Sequence, residues 1–346
     1  TNQEGEALLR EVMEKNTITI IINNFNYGRF LSAAIESVLN QTVAPLELII
    51  VDDGSTDNSR EILDRYKNRA HVILKDNGGQ ASCFNAGYQA ASGDWIWFLD
   101  ADDWLTEDAV ANILPLTGND VVKIHGPLLI ANESGSLTGD LVPAQQLSNG
   151  DVTEEIIQQG DYVWPPTSGN IFSRKLLQQC MPIPEEEFRL SADFFLCSFA
   201  GVKGHIQSIF KPLGFYRVHS SNGFYGVEFD KTKLQRHGNI LLRVVDHTER
   251  LVREQLHRTD FNFPYNRRFL ESLMIAKRLG GLKLPQQLNN SITSLWLHSK
   301  EVSALSGKAR ITGLTYWAIL CYGPVFLIKQ VVKLGKKKAS NNKPLN

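Results

Sequence analysis

TITIIINNFNYGRFLSAAIESVLNQT, residues 17–42, opens on a β-branched apolar run and closes on a helical one. TITIII (17–22) is continuous rather than alternating, as in a strand buried on both faces. NNFNYGR is a polar turn. Beyond it Phe30, Leu31, Ala34, Ile35, Val38 and Leu39 recur at the spacing that places one apolar stripe on a helix. The pair then repeats. LELIIV (46–51) predicts a second strand, and DDGSTDNS a loop that caps a helix beginning near Asn58. HVILK (71–75) predicts a third strand, DNGG a turn, QASCFNAGYQAA (80–91) a helix and DWIWFL (94–99) a fourth strand.

Strands alternating with helices through short links predict an α/β protein, a mostly parallel sheet covered by helices. Ligands of such sheets lie beyond the carboxyl ends of the strands. This chain sets acids there: Asp52 and Asp53 after the second strand, and Asp100, Asp102 and Asp103 in LDADDW (99–104) after the fourth. In extended chain residues i and i+2 share a face. Asp100 and Asp102 therefore point at one ligand, while Asp103 faces elsewhere, to a helix N-terminus or a backbone donor. Two close carboxylates repel, and a hard divalent cation relieves the repulsion. Mg²⁺ takes one or two protein carboxylates and completes its shell with water and substrate phosphates, which suits a nucleoside diphosphate. Taken alone, D-x-D reads better as a solvated acidic turn capping the helix of TEDAVANIL; the other features shift the balance. In VDDGSTD (51–57), Ser55 and Asp57 read as helix caps, and Asp53 as a carboxylate able to accept a base N–H.

The bulk composition narrows the classes. The chain has 346 residues, 42% hydrophobic and 21% charged, with net charge −1, enough for one large domain with an appendage or for two. From Lys329 onward there are six lysines and no acid, so residues 1–328 carry −1 − 6 = −7. An acidic body offers no cationic groove to track phosphates, and nucleic acid is not an expected partner. The basic tail points to an anionic membrane surface. Cys83, Cys180, Cys197 and Cys321 are scattered without a C-x-x-C pair, which fits a reducing compartment. Residues 1–16 lack the basic start and apolar core of a signal peptide, and the expected location is the cytoplasm.

Four ordered blocks, TITIIINNFNYGRFLSAAIESVLNQT, LELIIVDDGSTDNS, DNGGQASCFNAGYQAASGD and WFLDADDW, together resemble the nucleotide-binding half of the family 2 glycosyltransferases of GT-A fold. The resemblance is close from residue 17 to about 115 and looser to 225. It implies transfer of a sugar from a nucleotide sugar, UDP- or dTDP-linked, to an acceptor hydroxyl with inversion at the anomeric carbon. It also implies Mn²⁺ or Mg²⁺ as cofactor and a glycan or lipid-linked acceptor of cell-surface glycan synthesis. The nucleotide contacts it implies are Asn24, Asn26, Asp53, Asn77, Gly78, Gly79, Asp100 and Ala101, with Asp53 on the base and Asp100 near ribose and metal. Asp102 is the implied metal ligand. RLSADFFLCSFAG matches the family's acid at a helix start, with Ala192 in place of its Glu and Asp193 kept as general base. FYRVHSSNGF (215–224) matches the segment whose His joins the metal, here His219. WPPTSGNIFSRKLL (164–177) matches a region bordering the acceptor, assigning Ser168, Gly169 and Asn170 there. Trp164 reads either as a platform for a sugar face or as packing.

The chain departs from the pattern at Asn23 and Asn24, where many members carry Pro and a small residue, and at Cys83-Phe84-Asn85, where many have Ala-Arg-Asn. Two rivals fit less of the sequence. A sugar nucleotidylyltransferase wants a Gly-rich phosphate loop with Arg and Lys near the first strand, which NNFNYGR lacks. A degenerate domain that binds nucleotide sugar or glycan without turnover fits the missing Glu.

The expected division is an N-terminal extension (1–16), the catalytic domain (17–225), a helical region (226–310) and an apolar segment with basic tail (311–346). LQRHGNILLRVVDHTERLVREQL and YNRRFLESLMIAKRLGGL both read as amphipathic helices. Ile311–Ile328 holds eighteen residues without charge, short for a span and interrupted by Gly313, Gly323 and Pro324. Positive flanks on both sides favour a helix lying in an anionic interface, with Tyr316, Trp317 and Tyr322 at headgroup depth. The alternative is a helix packed on the body.

Overall fold

The run 17–22 becomes β1 (Ile18–Asn24), with Ile18, Ile20, Ile21 and Ile22 buried. The computed structural model describes residues 16–220, 222, 230–258, 267–286, 288–290, 292–293, 307–322 and 328. Helix α1 (Gly28–Leu39) follows, burying Phe30, Leu31, Ala34, Ile35 and Val38 as the periodicity predicts. Its first N–H, on Gly28, is taken by Asp57 Oδ2 at 2.9 Å. The other carboxylate oxygen of Asp57 accepts from Ser59 N and starts α2 (Ser59–Asp64), so one side chain caps two helices.

The predicted rhythm continues through β2 (Glu47–Asp52), β3 (His71–Leu74), α3 (Gln80–Ala90) and β4 (Trp95–Asp100), then β5 (Trp104–Leu105) and α4 (Ala109–Ile113). The later strands are β6 (Val121–His125), β7 (Leu128–Ala131), β8 (Leu137–Val142), β9 (Asn170–Ser173), β10 (His205–Ser208) and β11 (Gly214–Arg217), with α5 (Ala192–Lys203) between β9 and β10. Among the described residues, seven strands form one sheet in the order β10-β6-β9-β4-β1-β2-β3. The pairs β1–β2, β1–β4, β2–β3 and β6–β10 are parallel, and β9 runs antiparallel between β4 and β6. The chain leaves β1 toward β2 on one side and returns to β4 on the other. That reversal of strand order opens a crevice at the carboxyl ends of β1 and β4. Phe84 of α3 stacks on Phe98 of β4 with ring centroids 3.9 Å apart, which seals the sheet beneath the crevice. A smaller sheet, β5-β11-β7-β8, carries β11 beside β5 and so beside the acidic turn.

Two compact units divide the chain: Thr1–Glu154 with Tyr162–Val218, and Glu155–Asp161 with His219–Asn346. The first closes where β11 completes the smaller sheet, rather than near residue 225. In the second, α6 (Lys231–Leu256) is capped by Asp230, whose Oδ1 accepts from Lys233 N at 2.7 Å. The helix α7 (Arg267–Ile275) runs into a π turn, Ala276–Gly280, and α8 (Gly307–Tyr322) follows. Leu241, Leu270, Leu273, Met274, Trp317 and Leu320 form the core of this unit.

That core corrects one expectation. Trp317 is 3% exposed and does not stand at headgroup depth, because its indole fills the gap among the leucines; Tyr322, 81% exposed, does face outward. Among the described residues no helix is long and apolar enough to cross a membrane. Residues 1–15, 223–229, 323–327 and 329–346, which include most of the expected N-terminal extension and the basic tail, lie outside the described residues.

Candidate active site

Parallel pairing sets Asn23 opposite Asp100 and Asn24 opposite Asp52. Asn23 Nδ2 donates to Asp100 Oδ1 at 2.8 Å, and Ala101 N to Asn23 O at 3.2 Å. Asn23, one of the positions that depart from the family pattern, therefore braces the acidic turn. Carboxylate oxygens of Asp100, Asp102 and Asp103 lie within 4.8 Å of one another. Asp103 is fully engaged: Oδ1 accepts from Arg217 N at 2.9 Å and Oδ2 from Ser168 Oγ at 2.6 Å. It holds the turn against β11, a backbone donor as its position on the opposite face predicts.

Burial, and then the negative charge of Asp102, push the Asp100 carboxyl up to about 7. The same causes, with Asp100 added, push Asp103 well above the usual carboxylate range. Burial and these three acids also raise the phenols of Tyr27 and Tyr216. The turn thus concentrates three carboxylates whose burial and mutual repulsion favour protonation of Asp100 and Asp103. An all-oxygen donor set with Asp103 committed leaves Asp100 and Asp102 to face a cation, which fits a hard divalent ion such as Mg²⁺ or Mn²⁺. Arg217, which the sequence does not single out, supports the turn from behind. Its Nε donates to the Asp102 carbonyl at 2.9 Å and its guanidinium lies between the rings of Phe30 (4.6 Å) and Trp104 (4.3 Å).

The other strand ends make a second cluster. Asn24 is buried, with Nδ2 donating to Asp52 Oδ1 at 2.7 Å and Ser55 Oγ at 3.1 Å. Asn26, in a left-handed conformation (φ 58°), accepts from Thr56 N at 2.7 Å. Asp53 is 1% exposed and receives four donors: Lys75 Nζ (2.7 Å), Asn77 Nδ2 (2.9 Å), Gly78 N (2.8 Å) and Gly79 N (2.7 Å). A carboxylate has about four lone-pair positions. All are filled, so Asp53 here shapes the 75–79 loop instead of presenting an open acceptor to a base, contrary to the sequence expectation. Asn77, Gly78 and Gly79 are brought to it as its donors. Gly79 also has φ 88°, and a Cβ there would sit 2.5 Å from Arg189 O.

That close approach docks the loop on the segment leading into α5. Gln80 N donates to Arg189 O at 2.7 Å, and Gln80 Oε1 accepts from Ala192 N at 3.0 Å. Asp193 lies in the first turn of α5, where the helix dipole favours an acid. Its Oδ1 accepts from Phe194 N at 2.9 Å and its Oδ2 from Thr167 Oγ1 at 3.1 Å. Burial raises its carboxyl, opposed by these hydrogen bonds and by the charge of Lys123. Thr167 Oγ1 also accepts from Gln80 Nε2 at 3.3 Å. Adjacent residues, Thr167 at the Asp193 carboxylate and Ser168 at the Asp100 backbone, therefore link the acid at the strand end to the acid at the helix start.

The acceptor assignments fare differently. Ser168, Gly169 and Asn170 are buried and offer an acceptor no surface. Ser168 Oγ accepts from Asp100 N at 3.1 Å and its carbonyl accepts from Trp97 Nε1 at 2.9 Å. A Cβ on Gly169 would meet Gly126 O at 2.6 Å, and Asn170 Nδ2 donates to the carbonyls of Pro165 and Pro166, both at 2.9 Å. These residues hold the turn in place. Trp164 packs edge-on against Phe194 with centroids 4.7 Å apart. His219 opens the second unit, in a turn where its N–H donates to Asn222 Oδ1 at 2.6 Å.

The model of the family described as glycosyl transferase family 2 matches residues 19–127, which contain both clusters of acids. An uncharacterized glycosyltransferase of Nostoc sp. is 36% identical over 212 residues, 59% of this chain and 66% of that protein. Residues 19–127 belong to glycosyltransferase family 2. The putative glycosyltransferase EpsH of Bacillus subtilis is 26% identical over 228 residues, 61% of this chain and 63% of that protein. The chain thus spans a little under two thirds of the length of these relatives. Among solved structures, the TarS 1–349 fragment of S. aureus, crystallised with UDP, superposes with a TM-score of 0.54 at 15% identity, covering 92% of each chain. That likeness is one of fold, GT-A.

Proposed function

We propose that the chain is an inverting glycosyltransferase that moves a sugar from a nucleoside diphosphate sugar to an acceptor hydroxyl. One observation carries the reading: adjacent residues of one turn reach both acids, Ser168 Oγ accepting from Asp100 N in the acidic turn and Thr167 Oγ1 donating to Asp193 at the start of α5. Charge storage for a leaving group and a basic carboxylate thus share one crevice edge. When bound, a divalent cation neutralises the charge that develops on the departing diphosphate. Asp100 and Asp102 would hold it. Asp193 receives the proton of the acceptor hydroxyl as that oxygen bonds to the anomeric carbon. The anomeric C–O bond to the diphosphate breaks on the opposite side and its electron pair leaves with the phosphate oxygen.

His219 enters the proposal through the resemblance of its segment alone. The UDP bound by TarS supports a uridine donor, with dTDP-sugars the near alternative. A glycan or lipid-linked acceptor and association with an anionic membrane surface complete the proposal, supported by the basic residues that follow Ile328.

The test is release of free nucleotide from UDP-, dTDP- and GDP-sugars with Mn²⁺ and with Mg²⁺. Release from at least one donor, lost in Asp102→Ala together with cation-dependent nucleotide binding, is expected. Binding of UDP without release from any donor, with or without added glycans, would favour a binding domain instead.

A further inference from the structure

We propose that Gln80 and Thr167 are positioning residues that fix the proton-accepting oxygen of Asp193. This rests on the reading of Asp193 as the general base. The three side chains come from α3, from the 3₁₀ turn Thr167–Gly169 and from α5, distant in sequence and joined by hydrogen bonds.

The argument begins with the anchoring of the turn. Ser168, next to Thr167, is tied to Trp97, Asp100 and Asp103 through its carbonyl and hydroxyl. Thr167 itself is 5% exposed, so its hydroxyl has no freedom to seek water. A hydroxyl has one proton to give and two lone pairs to receive. Gln80 Nε2 donates to it, and Asp193 Oδ2 is the acceptor at 3.1 Å. The direction of the chain is fixed from the other end of the same amide. Gln80 Oε1 receives Ala192 N, one of the N–H groups at a helix start that lack a partner within the helix. Flipping the amide would set its NH₂ against that N–H and leave its carbonyl toward Thr167. One side chain therefore orients both the helix start and the hydroxyl.

Asp193 is consequently pinned at both oxygens, Oδ1 by Phe194 N and Oδ2 by Thr167. The carboxylate plane is set before an acceptor arrives, and a lone pair remains for the acceptor proton. A carboxylate free to rotate would lose that alignment, which is where positioning acts on rate. Thr167 and Gln80 touch neither the sugar nor the diphosphate in this scheme, so donor affinity is unaffected.

The experiment compares wild type, Thr167→Val, Thr167→Ser, Gln80→Met and Asp193→Asn. The probe is whichever donor the wild type hydrolyses fastest among the UDP-, dTDP- and GDP-sugars. The affinity of the corresponding free nucleoside diphosphate with Mn²⁺ is measured by calorimetry. Thr167→Val is expected to lower kcat by about 10- to 100-fold, the range of one hydrogen bond to a charged group. KM for the donor and nucleotide affinity should stay within about twofold, since a fall shared equally by binding and turnover marks a lost fold rather than lost positioning. Thr167→Ser should recover turnover to within about threefold of wild type, and Gln80→Met should fall between. Wild-type kcat in Thr167→Val, with Asp193→Asn inactive, overturns the positioning role and leaves the base assignment standing. Full turnover by Asp193→Asn overturns both, as does absence of turnover by the wild type on every donor. Loss of nucleotide affinity in Thr167→Val in step with kcat also overturns the proposal.

Discussion

Asp100 and Asp103 are three residues apart and do opposite work. Asp103 meets two protein donors and becomes part of the frame, whereas Asp100 shares its hydrogen-bonding environment with Asn23 and faces Asp102. The raised Asp100 carboxyl has a consequence for stability. Its folded value of about 7 exceeds the ordinary carboxylate value, so between about pH 4 and 7 the folded chain holds a proton that the unfolded chain has released. Stability from this group is therefore highest below that window and falls as pH rises through it. Without divalent cation, the melting temperature of wild type should drop from pH 5 to pH 8 relative to Asp100→Asn. Comparing the two isolates Asp100 from His125 and His237, whose burial lowers their values and acts with the opposite sign below about pH 6.5. Adding Mn²⁺ should raise the wild-type midpoint most at pH 8. Parallel melting curves for wild type and Asp100→Asn across the range would show that the carboxyl titrates normally.

At the scale of elements, the loop 75–79 depends on Asp53 as a strand depends on its ladder. Four donors converge on one buried carboxylate, and Lys75 beside it is 21% exposed. Asp53→Asn turns one acceptor oxygen into a donor facing donors, at a cost of about 2–4 kcal/mol, reduced toward the lower figure by the partial exposure of Lys75. A melting temperature lower by at least about 4 °C is expected. An unchanged melting temperature with nucleotide binding abolished would instead place Asp53 on the ligand. What the sequence made legible follows the same line between local and distant. The strands β1 to β4 and helices α1 and α3 stand close to where hydrophobic periodicity put them, and the acids at strand ends were visible as acids. Thr167, Gln80 and Arg217 were not, because nothing near each in sequence marks it; their partners lie 26, 87 and 115 residues away. The resemblance set Ser168-Gly169-Asn170 at the acceptor border, and their burial was illegible for the same reason of distance. The antiparallel strand β9 that buries them is defined only by pairing with β4 and β6.

At the scale of the whole molecule, charge follows the division into units. The first unit holds 15 Lys and Arg against 27 Asp and Glu, a net of 15 − 27 = −12; the second holds 21 against 10, a net of 21 − 10 = +11. The sequence contrast between an acidic body and a basic tail is thus wider than the last eighteen residues. An anionic membrane would attract the second unit and repel the first. Removing everything beyond Ala309 is a poor probe of this attraction, since Trp317 and Leu320 belong to the second unit's core and their loss would unfold it. Charge neutralisation is cleaner: Lys333, Lys336, Lys337 and Lys338→Gln removes charge while keeping Trp317 and Leu320. Each Lys near an anionic surface contributes about 1 kcal/mol. The variant should therefore bind phosphatidylglycerol-containing liposomes on the order of a thousandfold more weakly than wild type, with donor hydrolysis in solution unchanged. Raising salt from about 0.1 M to 0.5 M should release wild type as well, because exposed charges are screened over shorter distances. Equal co-sedimentation of wild type and variant at low salt would remove the tail from the interaction, and binding to neutral liposomes would remove charge from it altogether.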